Sequence, residues 1–146
     1  MSAHRHETGP APGFDLIERL SPFNELTGPI YLRRDGVHRV IGLRVLEKHC
    51  NLRSIMHGGM LATLSDIAIG HTLAHLSDPP RGRVTASLTV NFAGSAKVGD
   101  WLEAHVDVHK HGGRLSFASC NIHCGDQRIG YATAVFATAS ERRADT

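Results

Sequence analysis

Within residues 51–66 lie five positions whose chemistry converges: Asn51, His57, Gly58, Gly59 and Asp66. An Asn amide donates and accepts hydrogen bonds together, and a carboxylate can take a proton from water or attack a carbonyl itself. If a helix begins at Gly58-Gly59, bare backbone N–H groups sit at its positive end, open to an anion or a polarised carbonyl oxygen. That combination suits chemistry at a carbonyl. Each residue also has an ordinary reading. Gly58-Gly59 serves as a flexible entry turn, a mid-helix Asp is usually solvated, and His57 bonds to backbone.

The element that must position these groups is the apolar segment that follows. It runs to Leu76 without a Pro, is rich in Ala and Leu, and stops before Pro79-Pro80, so it predicts the longest helix of the chain. Met60, Leu61, Leu64, Ala68, Thr72 and Leu76 recur at helical spacing and predict its apolar face. Gly59, Thr63, Asp66, Gly70 and Leu73 form another, mostly small face. A mid-helix Gly costs about 1 kcal/mol against Ala, so Gly70 implies that something packs closely there.

Around this helix the pattern predicts a mobile polar arm at 1–13, a short helix over Phe14–Leu20, an irregular stretch from Pro22 to Pro29, and a short strand at Ile30–Arg33. A strand follows at Val37–Leu46. Beyond the helix, strands are predicted at Arg83–Phe92, Asp100–Lys110, Arg114–Cys124 and Arg128–Thr138, with a hairpin turn at His111-Gly112-Gly113 and a charged tail at 139–146. One long helix with antiparallel strands is an α+β layout, here a single domain over 14–138.

Composition narrows the function. The chain has 146 residues, a formal net charge of +2 and 5% aromatic residues. Without a basic run or a stacking surface, nucleic acid is not an expected partner. No apolar run reaches the length of a membrane span, and no apolar leader is visible near Met1, so a cytoplasmic protein is expected. The three cysteines, Cys50, Cys120 and Cys124, read as free thiols. Cys120 and Cys124 with His123 between them invite a zinc reading. In a strand, however, His123 points away from the face the two cysteines share, and a closed site needs four ligands. No metal is expected.

Asn51, then His57-Gly58-Gly59, Leu61-Ala62-Thr63-Leu64-Ser65-Asp66, and later Ser95-Ala96-Lys97-Val98-Gly99-Asp100 resemble the hotdog-fold acyl-CoA thioesterases of the phenylacetate-degradation type. The resemblance runs from Ser21 to about Ala137. It implies a curved antiparallel sheet wrapped round the long helix. It implies that Gly58 lends its N–H to the thioester carbonyl, that Asp66 is the general base or the nucleophile, and that Asn51 places the carbonyl or the water. His57 would orient the loop, and Thr85 stands where relatives carry a hydroxyl near the acid. Gly59 and Thr63 would face substrate. Coenzyme A phosphates would lie near Lys110, His111, Gly112, Gly113 and Arg114, with Arg81, Arg83 and Lys97 as further candidates. Thr63, Leu64, Ile67 and Val90 would line the acyl pocket. Coenzyme A enters as part of the substrate, and no separate cofactor is implied.

Two other functions compete. A hotdog hydratase or dehydratase also uses a His and an acid, but here the His is followed directly by Gly-Gly and the acid comes nine residues later. A non-catalytic acyl-CoA-binding hotdog protein is disfavoured by the presence of both Asn51 and Asp66. The absence of a G-x-S-x-G elbow argues against a triad hydrolase, and no G-x-x-x-x-G-K-[ST] phosphate loop occurs. Gly58 and Asp66 would stand roughly 12 Å apart along one helix, too far to serve one carbonyl. A homodimer is therefore expected at minimum, and the resemblance implies a tetramer built from two dimers.

Overall fold

The computed structural model describes residues 7–139. The elements run β1 (Asp15–Leu16), α1 (Pro22–Thr27), β2 (Tyr31–Asp35), β3 (His38–Arg44), a 3-10 turn (Glu47–His49), α2 (Gly58–Ala74), β4 (Arg83–Phe92), β5 (Trp101–His111), β6 (Leu115–Cys124) and β7 (Gln127–Thr138). The strands form one sheet in the order β1-β2-β3-β5-β6-β7-β4, with antiparallel pairing throughout. Helix α2 packs against β3, β4, β5, β6 and β7, so the sheet curves round it. Among the described residues strand β4 closes one edge of the sheet, paired on one side only, with β7.

Helix α2 is continuous because nothing inside it breaks a helix, and it is anchored by what it buries. Met60, Leu61, Leu64, Ile67, Ala68, Ile69 and Leu73 all enter the core. Truncating a side chain such as the fully buried Leu64 to Ala typically costs 2–5 kcal/mol. Buried Ser65 is satisfied by donating to the Leu61 carbonyl at 3.0 Å. The close approach expected at Gly70 is present: a Cβ there would lie 3.2 Å from the Phe136 ring of β7. Gly130 is tighter still, since a Cβ would come within 2.7 Å of Leu61. That glycine lets α2 settle onto β7.

Two local expectations differ from the structure. Phe14–Leu20 is not a helix. Phe14 is buried edge-on against Trp101 at 4.9 Å, Asp15 and Leu16 pair with Leu32 and Tyr31, and the Ile17 N–H reaches the Ile30 carbonyl at 2.9 Å. Sheet pairing and an aromatic contact outweigh helical spacing in so short a segment. The helix instead lies at Pro22–Thr27, capped by Ser21, whose hydroxyl accepts from the Asn24 N–H at 3.2 Å. Ser at N-cap followed by Pro at the first helical position is the local signal for it. The apolar face of α2 also shifts. Leu73 is fully buried and Leu76, past the helix end, is half exposed. Of the predicted arm, residues 7–13 are described: the Gly9 carbonyl accepts from Arg44 Nε at 3.0 Å, and Glu7 pairs with Arg44 at 3.4 Å. Residues 1–6 and 140–146 lie outside the described part.

Candidate active site

The loop before α2 is built so that its polar groups satisfy one another. His49 is buried; its Nδ1 accepts from the Leu46 N–H at 2.9 Å, which leaves Nε2–H to donate to the Thr27 carbonyl. Burial holds its pKa below the usual histidine range, against the opposing pull of the Thr27 bond. The His49 carbonyl accepts from the His57 N–H at 2.8 Å. Asn51 Oδ1 accepts from the Arg53 and Ile55 N–H groups at 2.9 and 3.4 Å, an Asx turn that shapes the loop. The Asn51 Nδ2 donors have no partner among the described residues.

His57 is the N-cap of α2, and its Nδ1 accepts from the Gly59 N–H at 2.8 Å. The ring proton of the neutral imidazole therefore sits on Nε2. Gly59 is required for this cap, because a Cβ would fall 2.9 Å from Nδ1. The consequence for chemistry is a division of labour between the two glycines. The Gly59 N–H is consumed by the cap. The Gly58 N–H has no acceptor among the described residues, so it is the donor left at the positive end of the helix. Asn51 and His57 line a common cleft of about 760 Å³ with Glu47, Ser54 and Val98.

Asp66 stands two turns further along α2, half-buried. Thr85, at the start of β4, donates its hydroxyl to Asp66 Oδ1 at 2.5 Å. This fixes one carboxylate oxygen and leaves Oδ2 free of bonds among the described residues. Thr63 donates to the Gly59 carbonyl at 2.9 Å. Leu64 and Ile67 are core residues, while Val90 is half-buried. The structure thus brings Asp66 together with Thr85, and Asn51 together with His57, the cap residue before Gly58, as two separate groups.

The basic candidates also divide. Arg81, Lys110, Gly112, Gly113 and Arg114 line one cleft of about 980 Å³. Gly112 makes its hairpin possible, since a Cβ would strike the Leu115 carbonyl oxygen at 2.2 Å. His111 and Arg83 are engaged behind it. Arg83 donates to Thr138 Oγ1 at 2.6 Å and to His111 Nε2 at 3.2 Å, and His111 Nδ1 lies 3.3 Å from Ser116 Oγ. Lys97 lies elsewhere, its N–H on Asp100 at 2.9 Å.

The profile of the family described as "Thioesterase superfamily" matches residues 54–131, the stretch that carries the helix N-terminus, Asp66 and Thr85. This chain belongs to the thioesterase superfamily. A Pseudomonas aeruginosa protein bearing the name "Putative esterase PA0474" is 43% identical over 125 residues, covering 85% of this chain and 93% of that protein. The Escherichia coli PaaI protein from the phenylacetic acid degradation operon superposes with a TM-score of 0.68 at 19% identity, over 76% of this chain and 80% of that one. A Streptococcus mutans protein solved with acetyl CoA superposes with a TM-score of 0.67 at 20% identity, over 97% of this chain and 100% of that one. The curved sheet round one long helix is the hotdog fold expected from the resemblance.

In this thioesterase-superfamily chain one site neighbour was not legible beforehand. Phe92, at the far end of β4 and 59% exposed, stands over Gly58; a Cβ on Gly58 would lie 3.2 Å from its ring. An aromatic at a strand end carries no sequence signal of such a contact. Cys120 is buried and its thiol is pushed up to about 12 by burial alone, so it is inert. Among the described residues no group of three or more His, Cys, Asp or Glu side chains is placed so that it could hold a metal ion. Nor is any helix there long and apolar enough to cross a membrane.

Proposed function

We propose that this chain is an acyl-CoA thioesterase, hydrolysing an acyl or aryl-acyl thioester to the free acid and coenzyme A. The observation that carries the reading is the uncommitted Gly58 N–H at the head of α2, next to His57, which lines one cleft with Asn51, whose Nδ2 has no partner among the described residues. Attack on a thioester moves negative charge onto the carbonyl oxygen, and a preset N–H at a helix N-terminus stabilises that charge where it develops. Asp66 supplies the second half. With Oδ1 held by Thr85, Oδ2 is free to take a proton from water as the water oxygen attacks, or to attack the carbonyl carbon itself. Collapse of the tetrahedral intermediate breaks the C–S bond. The departing sulfur takes a proton, from Asp66 in the general-base route or from water in the nucleophilic one, and leaves as the coenzyme A thiol. In the nucleophilic route water then hydrolyses the acyl–aspartyl anhydride to the free acid. Asn51 places the carbonyl or the water, and His57 positions Gly58 and Gly59 through its cap. The acetyl CoA bound by the Streptococcus mutans protein supports the substrate class.

In this proposal the active unit is at least a homodimer, with pairs of dimers forming a tetramer, and it works in the cytoplasm without a metal or redox cofactor. Strand β4 supports the dimer. It is ten residues long, unpaired on one edge, and exposes Val84 and Phe92; long apolar edges are ordinarily covered. Two copies pairing antiparallel about Leu88 and Thr89 would set Thr85 of each near Phe92 of the other. Asp66 would then approach the partner's Gly58.

A panel of acyl-CoAs with a free-thiol readout tests the reaction. Thiol release is the expected result. Alkene hydration without thiol release would replace the proposal with a hydratase, and binding without turnover would replace it with an acyl-CoA-binding role. The basic cleft gives a separate expectation. Arg114→Ala should raise KM for acyl-CoA about tenfold, the value of one charge-assisted hydrogen bond, with kcat little changed. A short acyl thioester without the nucleotide should show no such rise. Equal effects on both substrates would remove Arg114 from the phosphate site.

A further inference from the structure

On the side of α2 away from Asp66 lies a cavity of about 520 Å³ whose wall includes Asp15, Arg19, Arg34, Arg39, His71 and His75. His71 follows Asp66 by five residues, roughly 140° round the helix, so this cavity is distinct from the candidate active site. Its charge arrangement is unusual. Arg34 of β2 and Arg39 of β3 are direct cross-strand partners, and like charges directly opposite one another destabilise a sheet. None of Arg19, Arg34, Arg39 or Asp15 enters an ion pair among the described residues.

The two histidines do not supply the missing negative charge. Arg39 Nη1 lies 3.1 Å from His71 Nε2. A guanidinium only donates, so Nε2 is the acceptor and His71 is neutral. Its pKa is lowered to about 4 by burial first, then by His75, Arg39 and Arg34. His75 stacks on it with ring centroids 4.1 Å apart and bonds through Nδ1 to the His71 carbonyl at 2.8 Å. The chain therefore holds two guanidinium groups side by side at a half-enclosed site and uses a neutral imidazole to orient one of them. The other wall is apolar: Leu16, Ile17 and Leu32 line it, and Leu16 is 53% exposed.

We propose that this cavity binds a small organic oxyanion, a carboxylate or a phosphate, with the charged head between Arg34 and Arg39 and an apolar body against Leu16, Ile17 and Leu32. An oxyanion there turns cross-strand repulsion into a shared clamp, since each guanidinium offers a planar fork of donors matched to carboxylate and phosphate. The volume lies within the range of small-molecule sites. The inference does not depend on the thioesterase reading, because it uses none of the same residues.

The test measures binding of benzoate and phenyl phosphate to the full chain by calorimetry and by thermal shift, at constant ionic strength set with chloride. At least one probe should bind the wild type and raise its Tm by mass action. Arg34→Met, at an exposed position, should fold. It should weaken binding of that probe at least tenfold, the loss of about one charge-assisted bond, and its Tm without probe should equal or exceed that of wild type. Arg128→Met, which removes an exposed guanidinium outside both basic clefts, should bind the probe as wild type does. Whichever probe responds identifies the head group. No binding of either probe beyond the chloride control overturns the proposal. So does binding that survives Arg34→Met, or that is lost in Arg114→Ala instead, which would place the anion in the other basic cleft.

Discussion

Asp66→Asn is expected to lower kcat by about 10²–10⁴-fold, the usual contribution of a positioned acid or base, with KM for acyl-CoA and Tm close to wild type. The substitution keeps the volume, and the Asn oxygen can still accept the Thr85 hydroxyl that now bonds Oδ1. What it removes is the negative charge and basicity of the second oxygen, and these matter only once a proton or a carbon centre is in flight. A group that acts in the transition state and not in binding shows its loss in kcat. Steady-state kinetics and a melting curve on the same preparation decide the matter. Wild-type kcat would take Asp66 out of the chemistry. A Tm drop of several degrees with a parallel loss of activity would make the Asp66–Thr85 bond a structural tie between α2 and β4.

The long elements were readable because periodicity and breakers agreed along them. The segment from Gly58 onward has helical spacing, no Pro, and Pro79-Pro80 as a stop, and the helix spans Gly58–Ala74. Strand β4 has the predicted bounds, Arg83–Phe92. Short segments were less readable. Phe14–Leu20 has helical spacing, but its fate is decided by Trp101 and Leu32, far away in sequence. In the candidate site, residue types were legible and their partners were not. Nothing near His57 announces that its ring takes the Gly59 N–H and leaves that of Gly58 over. A Thr in a strand is ordinarily explained by β-propensity; only the family resemblance sets a hydroxyl at Thr85 near the acid, and the hydrogen bond to Asp66 itself forms once α2 and β4 are packed. The basic residues show the same limit: a cluster of candidates in sequence separates into Arg81, Lys110 and Arg114 on one cleft and Arg83 and His111 bound to each other.

Mixing two inactive subunits should restore activity. The structure holds Asn51, His57 and Gly58 at the head of α2 and Asp66 with Thr85 eight residues further along it. At 1.5 Å per residue the two groups are roughly 12 Å apart along the axis. A reacting carbonyl must lie within about 3 Å of the N–H that stabilises it, and the acid must reach it directly or through one water. One straight helix does not satisfy both conditions. The free edge of β4 offers a route to a second helix, because Thr85 marks one end of that strand and Phe92, over Gly58, the other. In the proposed dimer, antiparallel self-pairing would exchange those ends between subunits and make two equivalent sites about a two-fold axis. Co-refolding equal amounts of Asn51→Ala and Asp66→Asn chains, each inactive alone, then makes half of all dimers mixed. A mixed dimer carries one site with both lesions and one with neither. Activity should return to roughly a quarter of wild type by this two-fold counting, and it should appear only after subunit exchange, which mass spectrometry of differently tagged chains can follow. If each site were assembled within one chain, every site in the mixture would carry a lesion, and activity would stay at the level of the separate variants even with exchange complete.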